Sequence, residues 1–199
     1  MNDSVLIAKI DQLNVWRRGD QRAVHKPLLL LIALAKCQQN HPRLIKFADI
    51  EEQLIQLLVE FGPHRKVHHP EFPFMRLQND GIWEITGDVP LVGKHDRFDV
   101  SRSVLKRHNA AGGFVVEIYD ELRAKPALVK RITQSIVQQH FTESIQDDLL
   151  CAVGLDVSTE TVTRRKRDPR FRAEVIRAYE HRCAICGFSL KLSNADLGL

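Results

Sequence analysis

His25-Lys26-Pro27-Leu28-Leu29-Leu30-Leu31-Ile32-Ala33-Leu34-Ala35 is the stretch whose reading decides the fold. Pro27 suits the first turn of a helix, where its missing N–H costs no hydrogen bond. Leu28 to Ala35 are apolar without interruption, so the helix has no face to offer water and belongs at the centre of the domain. The run is far short of the roughly 20 apolar residues that cross a bilayer. Free N–H groups at its start, with His25 and Lys26 beside them, form a candidate phosphate site. The alternative for this pair is an ordinary exposed loop.

Upstream, Val5, Leu6, Ile10 and Leu13 recur near one face, which predicts an amphipathic helix over Val5–Trp16. Arg17-Arg18-Gly19-Asp20 breaks it, and Gln21–Lys26 reads as a polar loop. Downstream, Leu44–Phe47 reads as a short strand and Ala48–Phe61 as a helix with Ile50, Leu54, Leu57, Leu58 and Phe61 inward. Gly62-Pro63 stops that helix. The loop His64–Pro70 carries Arg65, Lys66 and three His. No carboxylate or Cys stands among these at helical spacing, so a surface facing DNA is the better reading than a metal site.

Phe72–Leu77 alternates like a strand, Asp80-Gly81 signals a tight turn, and Ile82–Ile85 reads as the returning strand of a hairpin. Phe74 is expected in the core and Phe72 at a pocket, although a strand's period of two would by itself give both the same face. Ser101–Asn109 is predicted as a short basic helix exposing Arg102, Lys106 and Arg107. Ala110-Ala111-Gly112-Gly113 would let backbone N–H groups approach a ligand closely, although a helix C-cap is the better local reading. After a break at Pro126, Ala127–Phe141 and Thr142–Val153 read as two amphipathic helices. The fold class expected is mainly α with a small β-hairpin (α+β), in the element order of a winged-helix-like module.

The chain of 199 residues has room for one domain and a fragment. The boundaries expected are a domain over 1–153, a basic linker over 154–168 and a second unit over 169–199. Four Cys in a chain of this length do not make a disulfide framework. MNDSVLIAKI lacks a basic region followed by an apolar core, so a cytoplasmic location is expected, with no membrane partner. Arg164–Arg182 holds 8 Lys and Arg against Asp168, Glu174 and Glu180, while the whole chain carries a net +4. A positive excess gathered in one segment suits a phosphate backbone, where cations gain affinity by releasing counterions. The plainer reading is a solvated linker.

Asp168-Pro169 reads as a helix start, and Phe171, Val175, Ile176 and Tyr179 follow at helical spacing. Cys183-Ala184-Ile185-Cys186-Gly187 then reads as half of a tetrahedral zinc site, with a redox dithiol and two ordinary thiols as the alternatives. A redox dithiol would follow a strand and open a helix, whereas this pair follows a helix. The 13 residues after Cys186 contain neither Cys nor His, so the zinc site is expected to be incomplete in this chain.

Arg170–Leu190, RFRAEVIRAYEHRCAICGFSL, resembles the opening of an HNH nuclease domain of the McrA type. The resemblance implies a nuclease parent with a structural zinc and a catalytic divalent metal such as Mg. The catalytic His and the second ligand pair would lie further on, so this chain is expected to bind but not to cut.

His25-Lys26-Pro27, His69-Pro70-Glu71-Phe72-Pro73-Phe74, Asp80-Gly81-Ile82-Trp83 and Ala111-Gly112-Gly113-Phe114 occur in this order. Together they resemble the sulfur-binding domain of restriction endonucleases that recognise phosphorothioate-modified DNA. The resemblance covers most of residues 5–150 and implies double-stranded phosphorothioate DNA as the partner. It makes Phe72 and Pro73 the apolar pocket floor, where the family commonly has Tyr in place of Phe72. It makes the loop around Asn109, Ala110, Ala111 and Gly112 a second wall, where many relatives carry Arg at Ala111, with Arg107 and His108 as further candidates for DNA contact. It makes His25, Lys26, Arg65 and Arg76 candidates for phosphate or base contacts. A homodimer is compatible with it. Two readings stand beside it: a winged-helix-like DNA-binding regulator with a zinc knuckle, and a protein-interaction domain without a DNA role.

Overall fold

The computed structural model describes residues 3–15, 17–18, 21–63, 65–89, 100–155, 169–179, 191–192 and 195–196. The Leu run lies in α2 (His25–Gln38), and Leu28 to Ala35 are all 4% exposed or less. A helix apolar on every side needs partners on every side. Those partners are α3 (Phe47–Phe61), α4 (Glu71–Arg76), α6 (Val116–Ala124), α7 (Pro126–His140) and α8 (Glu143–Val153). Asn40, in the left-handed conformation at φ 60°, follows the end of α2. A helix α1 (Asp3–Asp11) lays Leu6 and Ile10 against α7. Among the described residues no helix is long and apolar enough to cross a membrane.

A three-stranded antiparallel sheet sits beside this bundle. Numbered after the two-residue hairpin β1 (Arg17–Arg18) and β2 (Gln21–Arg22), its strands are β3 (Ile45–Lys46), β4 (Trp83–Thr86) and β5 (Ala111–Phe114), in the order β3-β5-β4. Gly112 pairs with Ile45 on one side and Ile85 on the other. Between sheet and helices runs an edge-on aromatic series: Phe47 to Phe74 at 5.1 Å, Phe74 to Trp83 at 5.9 Å and Trp83 to Phe114 at 6.0 Å between ring centroids. T-shaped contacts at these spacings are the preferred geometry of aromatic pairs.

Three expectations are corrected here. Phe72–Leu77 is not a strand: Glu71–Arg76 forms α4 and Leu77–Asp80 continues it as a 3₁₀ turn. Pro73 misleads in a strand reading, because in the first turn of a helix it removes no needed donor. The expected hairpin therefore does not form, and β4 pairs with β5 instead. Phe72 and Phe74 do part as expected, and the helix is the reason: residues two apart project about 200° from each other in a helix, whereas in a strand they would share a face. Phe74 is fully buried and Phe72 only half-buried.

Gly112 and Gly113 are not a helix cap but the centre of the sheet. A Cβ on Gly112 would stand 2.8 Å from both Phe74 Cζ and Trp83 Nε1, and one on Gly113 would stand 2.0 Å from the Arg43 carbonyl oxygen. Glycine is required by close approach, not by a turn.

Arg102 is not a freely exposed cation. In α5 (Arg102–Arg107) it is ion-paired to Glu71 at 3.0 Å, and Lys106 pairs with Glu51. Near the C-terminal end, α9 (Pro169–Ala178) begins at the predicted Pro169 and touches α8, with Phe171 and Tyr179 exposed. Lys191–Leu192 and Ala195–Asp196 pair as β6 and β7. Of the expected linker over 154–168, residues 156–168 lie outside the described residues, as do Cys183 and Cys186.

Candidate nucleic-acid interface

The first turns of α2 and α4 and the loop before α4 converge on one cluster. His25, the first residue of α2, is held neutral by its surroundings: its pKa falls from 6.5 to about 4. Burial is the main cause, followed by electrostatic interactions with Arg65, His68, His69 and Arg76. Four basic groups thus act on one half-buried imidazole, which defines a local excess of positive potential.

Phe72 lies in the same cluster. The His69 ring stacks on it, 4.6 Å away and tilted by 11°, and the Arg76 guanidinium carbon lies 4.4 Å from its centroid. Cation–π attraction at such a distance is worth about 0.5–1 kcal/mol at an exposed site. The arrangement puts apolar ring surface next to a guanidinium and an imidazole, a combination suited to an anion with a soft, polarisable atom.

Buried acids hold the cluster from beneath. Glu71 accepts from His69 Nδ1 at 2.8 Å through one oxygen and from Arg102 Nε at 3.0 Å through the other. Arg102 also donates to the His68 carbonyl and lies 3.9 Å from Glu51. The loop that carries His68 and His69 is thereby fixed to α5. Breaking such a low-exposure network is costly, because it strands a carboxylate away from water.

The structure groups some of the predicted site residues and separates others. His25, Arg65, Phe72 and Arg76 fall together. Pro73 is buried rather than sharing a surface with Phe72, since consecutive helical residues project about 100° apart. Lys26 is drawn inward: its Nζ is 2.6 Å from Asp80 and 2.9 Å from the Asn14 carbonyl. Arg107 and Asn109 are exposed and His108 half-buried. They lie roughly a turn or more beyond Arg102, the α5 residue that touches the cluster. Asn109 adopts φ 47°, Ala110 is buried with its carbonyl bonded to Phe47 N–H at 2.8 Å, Ala111 is half-buried and Gly112 is buried.

Sequence reasoning put His69 in a loop facing DNA but missed Glu71 and Arg102 as parts of this cluster. Glu71 had one available signal: it is a carboxylate between Pro70 and the apolar Phe72-Pro73-Phe74-Met75. Among the described residues no group of three or more His, Cys, Asp or Glu side chains is placed to hold a metal ion.

Residues 3–158 match the family model "ScoMcrA-like, DNA sulfur-binding domain", and the chain belongs to that family. The fold agrees with solved structures. The sulfur-binding domain of ScoMcrA, solved with phosphorothioated DNA, superposes with a TM-score of 0.64 at 20% identity, covering 75% of this chain and 94% of that one. The sulfur-binding domain of SprMcrA, also solved with phosphorothioated DNA, gives 0.63 at 19% identity, covering 78% and 95%. The type IV phosphorothioation-dependent restriction endonuclease ScoMcrA gives 0.63 at 20% identity, covering 87% of this chain but 38% of that one. No curated relative matches the sequence.

Proposed function

We propose that this chain binds double-stranded DNA carrying a phosphorothioate linkage, with Phe72 facing the sulfur and Arg65, Arg76 and His25 facing the charged phosphate group and its neighbours. The observation that carries this reading is the half-buried Phe72 ring in contact with the His69 ring and the Arg76 guanidinium, two groups that together with Arg65 and His68 also act on His25. Sulfur is larger and more polarisable than the oxygen it replaces, and it is a poorer hydrogen-bond acceptor. An aromatic face gains dispersion energy from it, and the surrounding cations hold the remaining negative charge. Oxygen at the same position would give up water for a surface without donors. Family membership supports the same reading.

The test is binding of Phe72→Ala to two duplexes that differ by one sulfur atom. The variant should lose the preference for the modified duplex by about tenfold, a loss of about 1.4 kcal/mol, which is of the size expected for truncating a half-buried aromatic. An unchanged preference overturns the assignment of Phe72.

The domain further serves, in this proposal, as the recognition part of a modification-dependent HNH restriction endonuclease. The resemblance of Arg170–Leu190 to an HNH opening supports this, as does the domain's likeness to part of full-length ScoMcrA. Cys183 and Cys186 would give two thiolates to a structural zinc. A divalent metal in the nuclease part would polarise the scissile phosphate.

A further inference from the structure

We propose that Glu71 is the positioning residue of the phosphorothioate site and that it acts through His69; this rests on the functional reading above. The Glu71 side chain is 8% exposed, so it cannot itself face DNA. Both of its oxygens are engaged, Oε1 with His69 Nδ1 at 2.8 Å and Oε2 with Arg102 Nε at 3.0 Å. A carboxylate only accepts, so Nδ1 must carry the proton, and Nε2 is left as the other polar atom of the ring. That bond fixes both the tautomer and the rotation of the imidazole. The His69 side chain is 44% exposed and lies flat on Phe72, whose ring also meets Arg76. Glu71 therefore sets the orientation of one planar wall of the site without touching the ligand. Arg102, tied to the other oxygen and to the His68 carbonyl, keeps the carboxylate from turning away.

Glutamine at position 71 keeps the shape but offers one acceptor oxygen in place of two. Either His69 or Arg102 then faces an NH₂ group: in the first case the His69 bond is lost, and in the second the side chain loses the Arg102 contact that holds it, so in both cases the His69 ring is held less firmly. In the full chain, binding is measured by fluorescence anisotropy to two duplexes identical except for one sulfur. Glu71→Gln should reduce the preference for the modified duplex by about tenfold, the size expected for losing one hydrogen bond to a charged group. Its affinity for the unmodified duplex should change by less than about threefold. His69→Asn keeps a donor near the position of Nδ1 but removes the stacking ring, and at a half-exposed site it should fold normally. It should lose the preference to the same extent. The double variant should lose no more than His69→Asn alone, because the two residues act in series. Glu71→Asp, which retains both acceptor oxygens, should recover part of the preference.

A wild-type preference in Glu71→Gln overturns the proposal, and so does a double variant whose losses multiply. If Glu71→Gln fails to fold, a wild-type preference in His69→Asn overturns it instead. Absence of any preference in the wild-type chain overturns the functional reading; wild-type preference with no loss in these variants overturns this inference alone.

Discussion

Lys26 Nζ lies 2.6 Å from Asp80 Oδ2, and Asp80 Oδ1 accepts the Asn14 N–H at 2.9 Å. Three segments, the end of the α1 region, the start of α2 and the turn before β4, are joined at this point. The two side chains are only 12% and 6% exposed, so the pair is largely removed from solvent. Removing one member of such a pair strands the other. Lys26→Met should cost about 3 kcal/mol of stability, read as a lowered urea midpoint. Once folded, the variant should still prefer modified DNA, which separates Lys26 from residues that face the ligand.

Gly113→Ala should be among the most damaging single-methyl changes in the domain. The added Cβ would meet the backbone oxygen of Arg43 at 2.0 Å, and backbone cannot swing aside as a side-chain end can. Arg43 is itself held by Glu84 and by the Phe114 carbonyl at 2.9 Å. A loss of about 3 kcal/mol or more is expected in chemical denaturation. Gly81→Ala meets no neighbouring atom but sits at φ 66°, so its cost is conformational and should be about 1 kcal/mol.

The neutral His25 predicts an acid-sensitive fold. The unfolded chain takes up a proton at this residue below pH 6.5, and the folded chain does not until about 4. Its stabilising contribution is therefore complete above 6.5 and is lost as pH falls towards 4. The ceiling is about 3 kcal/mol, reduced by the partial exposure of the ring. Urea midpoints compared at about pH 7 and pH 4.5 should fall more for the wild type than for His25→Gln.

Arg65 is exposed on the loop before α4 and acts on the same cluster. A cation that meets phosphate contributes affinity without reading the modification. Arg65→Ala should weaken binding to both duplexes by a similar factor and lower the slope of log affinity against log salt by about 1. A loss confined to the modified duplex would place Arg65 at the sulfur instead.

Much of the helical frame was legible because its signal is periodic and local. The uninterrupted Leu28–Ala35 run announced the buried helix, and the Pro126 break falls at the α6–α7 junction. What could not be read depended on contacts distant in sequence. Phe72–Leu77 carries an apolar alternation that fits a strand, but β4 pairs instead with β5, where Gly112 lets the Phe74 and Trp83 rings come close. Arg102 looked solvent-exposed because Glu71, 31 positions earlier, is invisible to any local pattern. The candidate site could be read in its types of residue, an aromatic beside basic side chains, and not in the carboxylate bonded to His69 and Arg102.

The most direct measurement of the central claim is a competition experiment. Wild-type chain is bound to a labelled duplex with one phosphorothioate and challenged with unlabelled duplexes of the same sequence, modified or not. The account predicts that the modified competitor displaces the label at a concentration at least about tenfold lower. Equal displacement by both would show that the cations bind the backbone without regard to sulfur, and would contradict it.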